Sequence, residues 1–135
     1  MIKIFRLIVG VNFILFVLWA VMPSIDINWY DETTYKVLSY EGYGSIFELQ
    51  NDLLLGYSIF WGLVNIGLFF FIMGSRETFF VLLLVNVIIT GISGLGVYTS
   101  VESVLGEVST LLYGIIITLL VMPGDIKDKF SKNVS

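Results

Sequence analysis

Four long apolar stretches that contain almost no charged residue dominate this chain of 135 residues. A helix needs about 20 apolar residues to cross the hydrocarbon core of a bilayer, which is about 30 Å thick. The stretches cover residues 4–22, 53–73, 79–98 and 105–122. They predict an all-α integral membrane protein that forms a single four-span domain, with residues 23–52 as its outer loop.

Composition supports the membrane class and restricts the chemistry. Hydrophobic residues make up 57% of the chain and charged residues 13%, against about 25% charged residues in ordinary soluble domains. The chain has no His and no Cys, which excludes disulfides, the usual zinc and haem sites, and Ser–His or Cys–His catalytic pairs. We therefore expect no enzyme activity and predict no catalytic, cofactor-binding or metal-binding residue. No nucleotide-binding loop or nucleic-acid patch is present either.

The distribution of charge predicts the orientation in the membrane. Six of the seven basic residues flank the spans on one side: Lys3, Arg6, Arg76, Lys127, Lys129 and Lys132. The positive-inside rule assigns that side to the cytoplasm. Eight of the eleven acids lie on the other side with Lys36, so the outer face carries −7 and the inner face +3. Both termini are therefore predicted to be cytoplasmic.

Span one also has the basic start of a signal peptide. Its apolar run is long for such a peptide, and Met22-Pro23-Ser24 is a poor cleavage sequence, so we expect the span to be retained. The five-residue turn at 74–78 makes the second and third spans an antiparallel hairpin. We predict an up-down-up-down four-helix bundle with crossing angles near +20°.

Capping signals precede two of the spans. Ser45–Glu48 and Thr99–Glu102 both fit the capping-box pattern, in which a Ser or Thr is followed three residues later by Glu. The first would start helix two near Ile46 and give it about 28 residues, or about 42 Å. Such a helix is longer than the hydrocarbon core and would tilt or project from it.

Small and polar residues predict which helix faces pack, because lipid tails are as apolar as leucine and do not drive helices together. Three stripes of this kind occur: Asn51, Ser58, Gly62 and Asn65 in helix two; Asn86, Thr90, Gly91, Ser93 and Gly94 in helix three; and Glu107, Thr110, Gly114 and Thr118 in helix four. We expect them to pack the interior, with Asn65, Asn86 and Thr90 hydrogen-bonded across helices. The alternative is a polar path or ligand cavity that includes Glu107.

The outer ends of two helices are acidic. Glu48 and Asp52 stand at the head of helix two, and Glu102 stands with Glu107 at the head of helix four. One interpretation is a rim that attracts cations or binds a basic partner. The other is that acids favour helix N-termini and collect outside when the bases are held inside. The loop before helix two is aromatic and is expected on the membrane surface; its residues 33–40 fit either a short helix or a strand.

Several short features resemble a known group. Gly10 with the stop at Pro23, the segment 48–52 leading into Gly56, and the glycine run at 91–96 are similar to small four-span bacterial membrane proteins grouped with the DoxX-like proteins. The resemblance implies a four-helix bundle in the bacterial cytoplasmic membrane. It implies no particular activity.

The sequence leaves three functional hypotheses. We prefer a non-catalytic interaction protein, either an accessory subunit of a membrane complex or an immunity-type protective protein, with a membrane protein or further copies of itself as partner. The second is a small homo-oligomeric cation channel or transporter. The third is a membrane enzyme that uses paired acids such as Glu48 and Asp52, which the lack of His and the shallow placement of the acids disfavour.

Overall fold

The computed structural model describes residues 1–26, 29–38, 51–92, 98–122 and 124–131. These residues form six helices, with no strand among them, which confirms the all-helical prediction. The helices are α1 (Ile2–Asp26), α2 (Glu32–Leu38), α3 (Asn51–Phe69), α4 (Ser75–Ile92), α5 (Ser100–Val121) and α6 (Asp125–Ser131). By length and composition, α1, α4 and α5 each contain an apolar segment able to cross a membrane, and α3 contains a shorter one, Leu55–Phe69.

The helix boundaries differ from the apolar runs for local reasons. Helix α5 begins at Ser100 rather than near 105, because the Thr99–Glu102 capping box adds a polar first turn. Helix α3 ends at Phe69 although the apolar run continues to residue 73. The turn between α3 and α4 therefore lies at 70–74 and not at 74–78. Helix α1 continues past Pro23 to Asp26.

Helix α3 packs antiparallel to both α1 and α4. Against α1, the ring of Phe69 lies beside Gly10 and the carboxamide of Asn65 reaches Asn12. Against α4, the rings of Trp61 and Phe79 are 5.7 Å apart, and the Tyr57 hydroxyl donates to the Leu82 carbonyl at 3.2 Å. In both pairs the residue numbers rise along one helix as they fall along the other. Helix α5 makes its most extensive contacts with α1.

The chain reverses direction between α3 and α4 in an unusual way. The Ile72 N–H donates to the Gly67 carbonyl and the Phe71 N–H donates to the Leu68 carbonyl. This pair of bonds is a Schellman motif, which places residue 71 in the left-handed conformation that glycine normally occupies. Phe71 adopts it with φ = 57°. Its side chain therefore has to compensate for a strained backbone.

The Phe71 ring is 4% exposed and packs in an aromatic cluster at one end of the molecule. Its centroid lies 5.4 Å from that of Phe5 in α1 and 5.1 Å from that of Phe130 in α6. Ile126 and Phe130 bury one face of α6, a short helix that the sequence did not predict. The cluster thus joins the start of α1, the α3–α4 turn and α6. We call this the basic end, because Lys3, Arg6, Lys127 and Lys129 lie in these elements and Arg76 lies in the first turn of α4, directly after the α3–α4 turn.

The sequence left residues 33–40 of the aromatic loop open between a short helix and a strand. Residues 32–38 are helical, and the preceding Asp31 caps the helix by accepting the Thr34 N–H at 2.9 Å. The hydrogen bonds from Thr34 lower the pKa of the Asp31 carboxyl. An i,i+4 ion pair, Lys36 to Glu32 at 2.8 Å, lies on its exposed surface.

Candidate functional site

The polar stripe of α5 lies on the outside of the molecule. Glu107, Thr110, Gly114 and Thr118 are all exposed. The residues of α5 that face the interior are Glu102, Ser109, Ile116 and Leu120. At about 100° per residue, the stripe lies about 140° around the helix from these buried residues. Within the described part of the chain, the stripe therefore lies outside the buried interface between the helices.

The stripe has the features of a surface that another helix can approach closely. The Thr110 and Thr118 hydroxyls donate to the carbonyls of Gly106 and Gly114 within the helix, at 2.9 and 2.8 Å. Apart from the backbone of α5 itself and the two chain neighbours, no atom of the described residues lies within 4 Å of the position that a Cβ on Gly114 would occupy. Satisfied hydroxyls beside an open glycine form the small-residue pattern at which membrane helices meet.

Helix α4 carries a second uncovered polar surface. Asn86 and Thr90 follow Phe79 and Leu82 at helical spacing, along the side of α4 that packs on α3 nearer its start. Both polar residues are nevertheless exposed. The Thr90 hydroxyl donates to the Asn86 carbonyl of its own helix at 2.8 Å rather than to a neighbouring helix. The predicted cross-helix bonds from these two residues are therefore not seen in the described part of the chain.

Asn65 does bond across helices. It is 0% exposed, and its Oδ1 accepts the Nδ2–H of Asn12 in α1 at 3.0 Å. Its own Nδ2 donates to the Trp61 carbonyl at 2.9 Å. Asn12 is also 0% exposed. Asn12 was not among the residues predicted to bond across helices, although a lone amide inside an apolar helix was the available signal.

The network continues from Trp61 into α5. The indole Nε1 donates to the Tyr113 hydroxyl at 3.0 Å, and the two rings meet edge to face with centroids 5.4 Å apart. The Tyr113 hydroxyl also lies beside the Asn12 carboxamide, but Asn12 Oδ1 has no hydrogen-bond partner with good geometry. The rings of Trp61, Phe79 and Tyr113 pack against one another beside these groups, so the described residues indicate packing at this point.

The acidic residues predicted at the outer rim have different positions. Glu102 is 8% exposed, and its carboxylate accepts the Thr99 N–H at 2.7 Å while the Thr99 hydroxyl accepts the Glu102 N–H. The predicted capping box is thus confirmed, and the carboxylate is committed to it. Asp52 lies in the first turn of α3, where its side chain is outside the described residues, and Glu48 is outside them altogether.

Arg6 forms an unexpected contact at the basic end. Its Nε donates to the Phe69 carbonyl at 3.1 Å, one of the carbonyls that the last turn of a helix leaves without a partner. The guanidinium carbon lies 5.7 Å from the Phe69 ring centroid and 5.3 Å from that of Phe71. Both distances fall in the range of cation–π contacts.

An apolar groove begins beside this arginine. It lies between α1 and α3 and has a volume of about 280 Å³. Its walls include Val9, Gly10, Phe13, Ile66, Phe69 and Phe70. The Phe69 ring belongs both to the groove wall and to the surface on which Arg6 rests, so the cation stands at the groove's end.

Among the residues that the structure describes, no three acidic side chains lie close enough together to share a metal ion. No protein-family model, curated protein or solved structure matches this chain. The resemblance to the DoxX-like group therefore stays a prediction.

Proposed function

We propose that this chain is a non-catalytic integral membrane protein that binds another membrane-embedded chain through the outer stripe of α5. Such a role fits an accessory subunit of a membrane complex or an immunity-type protein. The observation that supports it is the position of Glu107, Thr110, Gly114 and Thr118, which together form an exposed polar stripe. In hydrocarbon, such a surface is stabilised when another helix covers it.

The outer surface of the long helices supports placement in a membrane. Leu7 in α1, Leu84 and Val87 in α4 and Leu111 in α5 are between 64% and 70% exposed. A water-soluble monomer rarely exposes so much apolar surface on every long element. In lipid the same surface carries no penalty.

The contacts of the helices support an up-down-up-down four-helix bundle with both termini in the cytoplasm. The basic end contains the start of α1, the end of α3, the start of α4 and the whole of α6. Five of the seven basic residues are in these elements, as the positive-inside rule requires of the cytoplasmic side. We propose the inner membrane of a bacterium as its location, as the resemblance also implies.

Labelling of single cysteines tests this orientation, and the chain offers a clean background because it has no native cysteine. A membrane-impermeant maleimide added to intact cells should label Lys36→Cys and leave Lys129→Cys unlabelled until the cells are opened. The opposite pattern would reverse the topology.

Photo-crosslinking tests the partner surface. A benzophenone maleimide is attached to Gly114→Cys in native membranes, with Val108→Cys as the matched control on the exposed apolar side of the same helix. We expect a discrete protein adduct from position 114 and lipid adducts only from position 108. An adduct of twice the chain mass identifies a second copy, and any other discrete mass identifies a different partner. Identical products from both positions would contradict the proposal.

A homo-oligomeric cation channel or transporter is the second candidate. Glu107, Asn86 and Thr90 are all exposed in the single chain, so an assembly of several copies could place them around a shared path. Liposomes that contain the purified protein should then show cation flux that falls in Glu107→Gln and Asn86→Leu. Absence of flux in the wild type would exclude this candidate and leave the first.

A further inference from the structure

We propose that the groove between α1 and α3 binds one anionic phospholipid, with an acyl chain in the groove and the phosphate on Arg6. This inference rests on the proposed placement in a membrane. It concerns a different surface from the α5 stripe, so the two proposals can fail separately.

The lining of the groove fits part of a hydrocarbon chain. Its volume is about 280 Å³, and its wall is apolar except for Asn65, whose amide is already bonded to Asn12 and Trp61. Gly10 forms part of the groove wall, where a Cβ would lie 3.6 Å from the Phe69 ring, at ordinary van der Waals distance, and a longer side chain would extend into the groove. The part of α1 from Val9 to Ile14 gives it a length of about 8 Å along the helix axis.

Arg6 supplies the charge that selects the headgroup. A guanidinium has five N–H donors, and Nε–H is the one that bonds the Phe69 carbonyl. Contact with the Phe69 and Phe71 rings holds the guanidinium plane in place, while the residue remains exposed. The Nη donors are therefore available for the paired bonds that arginine makes to phosphate.

The surroundings are complementary to an anion. Lys3 is exposed and lies one turn before Arg6 on the side of α1 that faces the groove. At about 100° per residue, Lys3, Arg6, Gly10 and Ile14 fall within one narrow sector of the helix. Charge at one end and hydrocarbon along the rest match a phospholipid in the cytoplasmic leaflet, where anionic lipids attract basic residues.

Native mass spectrometry of the detergent-solubilised full chain provides the test. The probes are phosphatidylglycerol and phosphatidylcholine with identical acyl chains. We expect the first bound lipid to be phosphatidylglycerol by about fivefold, which corresponds to about 1 kcal/mol for one interfacial cation. Equal binding of the two lipids by the wild type would overturn the proposal.

Two variants with matched controls locate the site. Arg6→Gln should remove the fivefold preference, whereas Lys127→Gln, which removes another exposed cation at the basic end, should keep it. Gly10→Leu should weaken binding of both lipids by filling the groove, whereas Gly56→Leu, at a glycine with open space elsewhere, should not. Equal effects within either pair would overturn the site.

Two further measurements keep the result unambiguous. Arg6→Lys keeps the charge and should retain part of the preference for phosphatidylglycerol. Complete loss of that preference in both Arg6→Lys and Arg6→Gln, at unchanged melting temperature, would contradict the role of charge. If Arg6→Gln also lowers the melting temperature, Gly10→Leu decides the question, because it leaves the arginine in place. The crosslinking result at position 114 does not depend on the Arg6 or Gly10 variants.

Discussion

The carboxamides of Asn12 and Asn65 meet between α1 and α3, where Asn12 Nδ2 donates to Asn65 Oδ1 at 3.0 Å and both side chains are 0% exposed. This bond is the only side chain-to-side chain hydrogen bond that joins these two helices among the described residues. It fixes their register at the depth where apolar side chains alone discriminate poorly between neighbouring alignments.

Removal of one amide from this pair should destabilise the protein by more than an average hydrogen bond contributes to the free energy of unfolding. We expect Asn12→Leu and Asn65→Leu each to lower the free energy of unfolding by about 1–3 kcal/mol, because the remaining amide stays buried without its partner. The double variant should cost less than the sum, with a coupling of about 0.6–1.7 kcal/mol. Reversible unfolding in mixed micelles measures this. The control is the exposed amide Asn86→Leu, which should change stability by about 0.5 kcal/mol or less.

At position 71 the left-handed backbone should make the glycine variant more stable than the alanine variant, the reverse of the usual order inside a helix. Phe71→Ala loses a buried ring and keeps the strained backbone, so it should cost about 3–5 kcal/mol. Phe71→Gly loses the same ring but relieves the strain, and should be more stable than the alanine variant by about 1 kcal/mol. The control is Phe80 inside α4, where glycine should be less stable than alanine by about 1 kcal/mol. The same order at both positions would show that the backbone at Phe71 is not strained.

The close approach of α3 to α4 predicts opposite results for two glycines of α3. A Cβ on Gly67 would lie 2.8 Å from the Ser75 Cβ, whereas a Cβ on Gly62 would lie 3.6 Å from the Phe13 ring. We expect Gly67→Ala to destabilise the protein by about 1–3 kcal/mol through overpacking. Gly62→Ala should be neutral or stabilising by up to about 1 kcal/mol, since alanine favours helix. Thermal melting of the two variants side by side makes the comparison.

The capping box at α5 gives a prediction that depends on hydrogen bonding and not on charge. Thr99→Ala should cost about 1 kcal/mol because it removes the acceptor for the Glu102 N–H. Glu102→Gln should be nearly neutral, since an amide oxygen also accepts the Thr99 N–H, and Glu102→Ala should not be. Ser100→Ala, an exposed neighbour, serves as the control. A large loss in Glu102→Gln would indicate that the carboxylate's charge has a role beyond the cap.

The Asp31 cap makes α2 sensitive to acid. Hydrogen bonds from Thr34 lower the pKa of the folded carboxyl, so the ionised form stabilises the helix. That contribution is present above the ordinary aspartate pKa of about 4 and disappears as the pH falls through the lowered value. The amide shift of Thr34 in NMR spectra should therefore titrate below pH 4. In Asp31→Asn, which caps without ionising, the titration should be absent, and its persistence there would contradict this assignment.

Local signals in the sequence predicted local structure well. The box at Thr99 and Glu102 is read from four consecutive residues, and the structure shows both of its bonds. Hydropathy located the apolar helices but not their ends, because it cannot distinguish helical Phe69 from left-handed Phe71 in a continuous apolar run. It also treated residues 100–104 as a connection, since their polarity hides a helical first turn.

Tertiary placement was harder to predict. Periodicity correctly grouped Asn65 with Gly62, and it grouped Glu107 with Gly114, but it cannot tell which stripe faces inward. In the structure the first lies against α1 and the second is exposed. That distinction depends on which helices are neighbours: α5 packs mainly on α1 rather than on α4, its neighbour in sequence. The contacts of Asn12 and Arg6 could likewise not be predicted without knowing that α1 packs against α3, where they meet Asn65 and Phe69.

The proposed function requires that another chain covers the α5 stripe in the membrane. The most direct measurement is the mass of the protein extracted from native membranes in mild detergent, with detergent and lipid mass subtracted. We predict an assembly larger than the 15.2 kDa chain for the wild type and for Val108→Leu, and a single chain for Gly114→Leu, whose side chain blocks close approach. A wild-type protein that is a lone chain at every detergent concentration tested would contradict the claim.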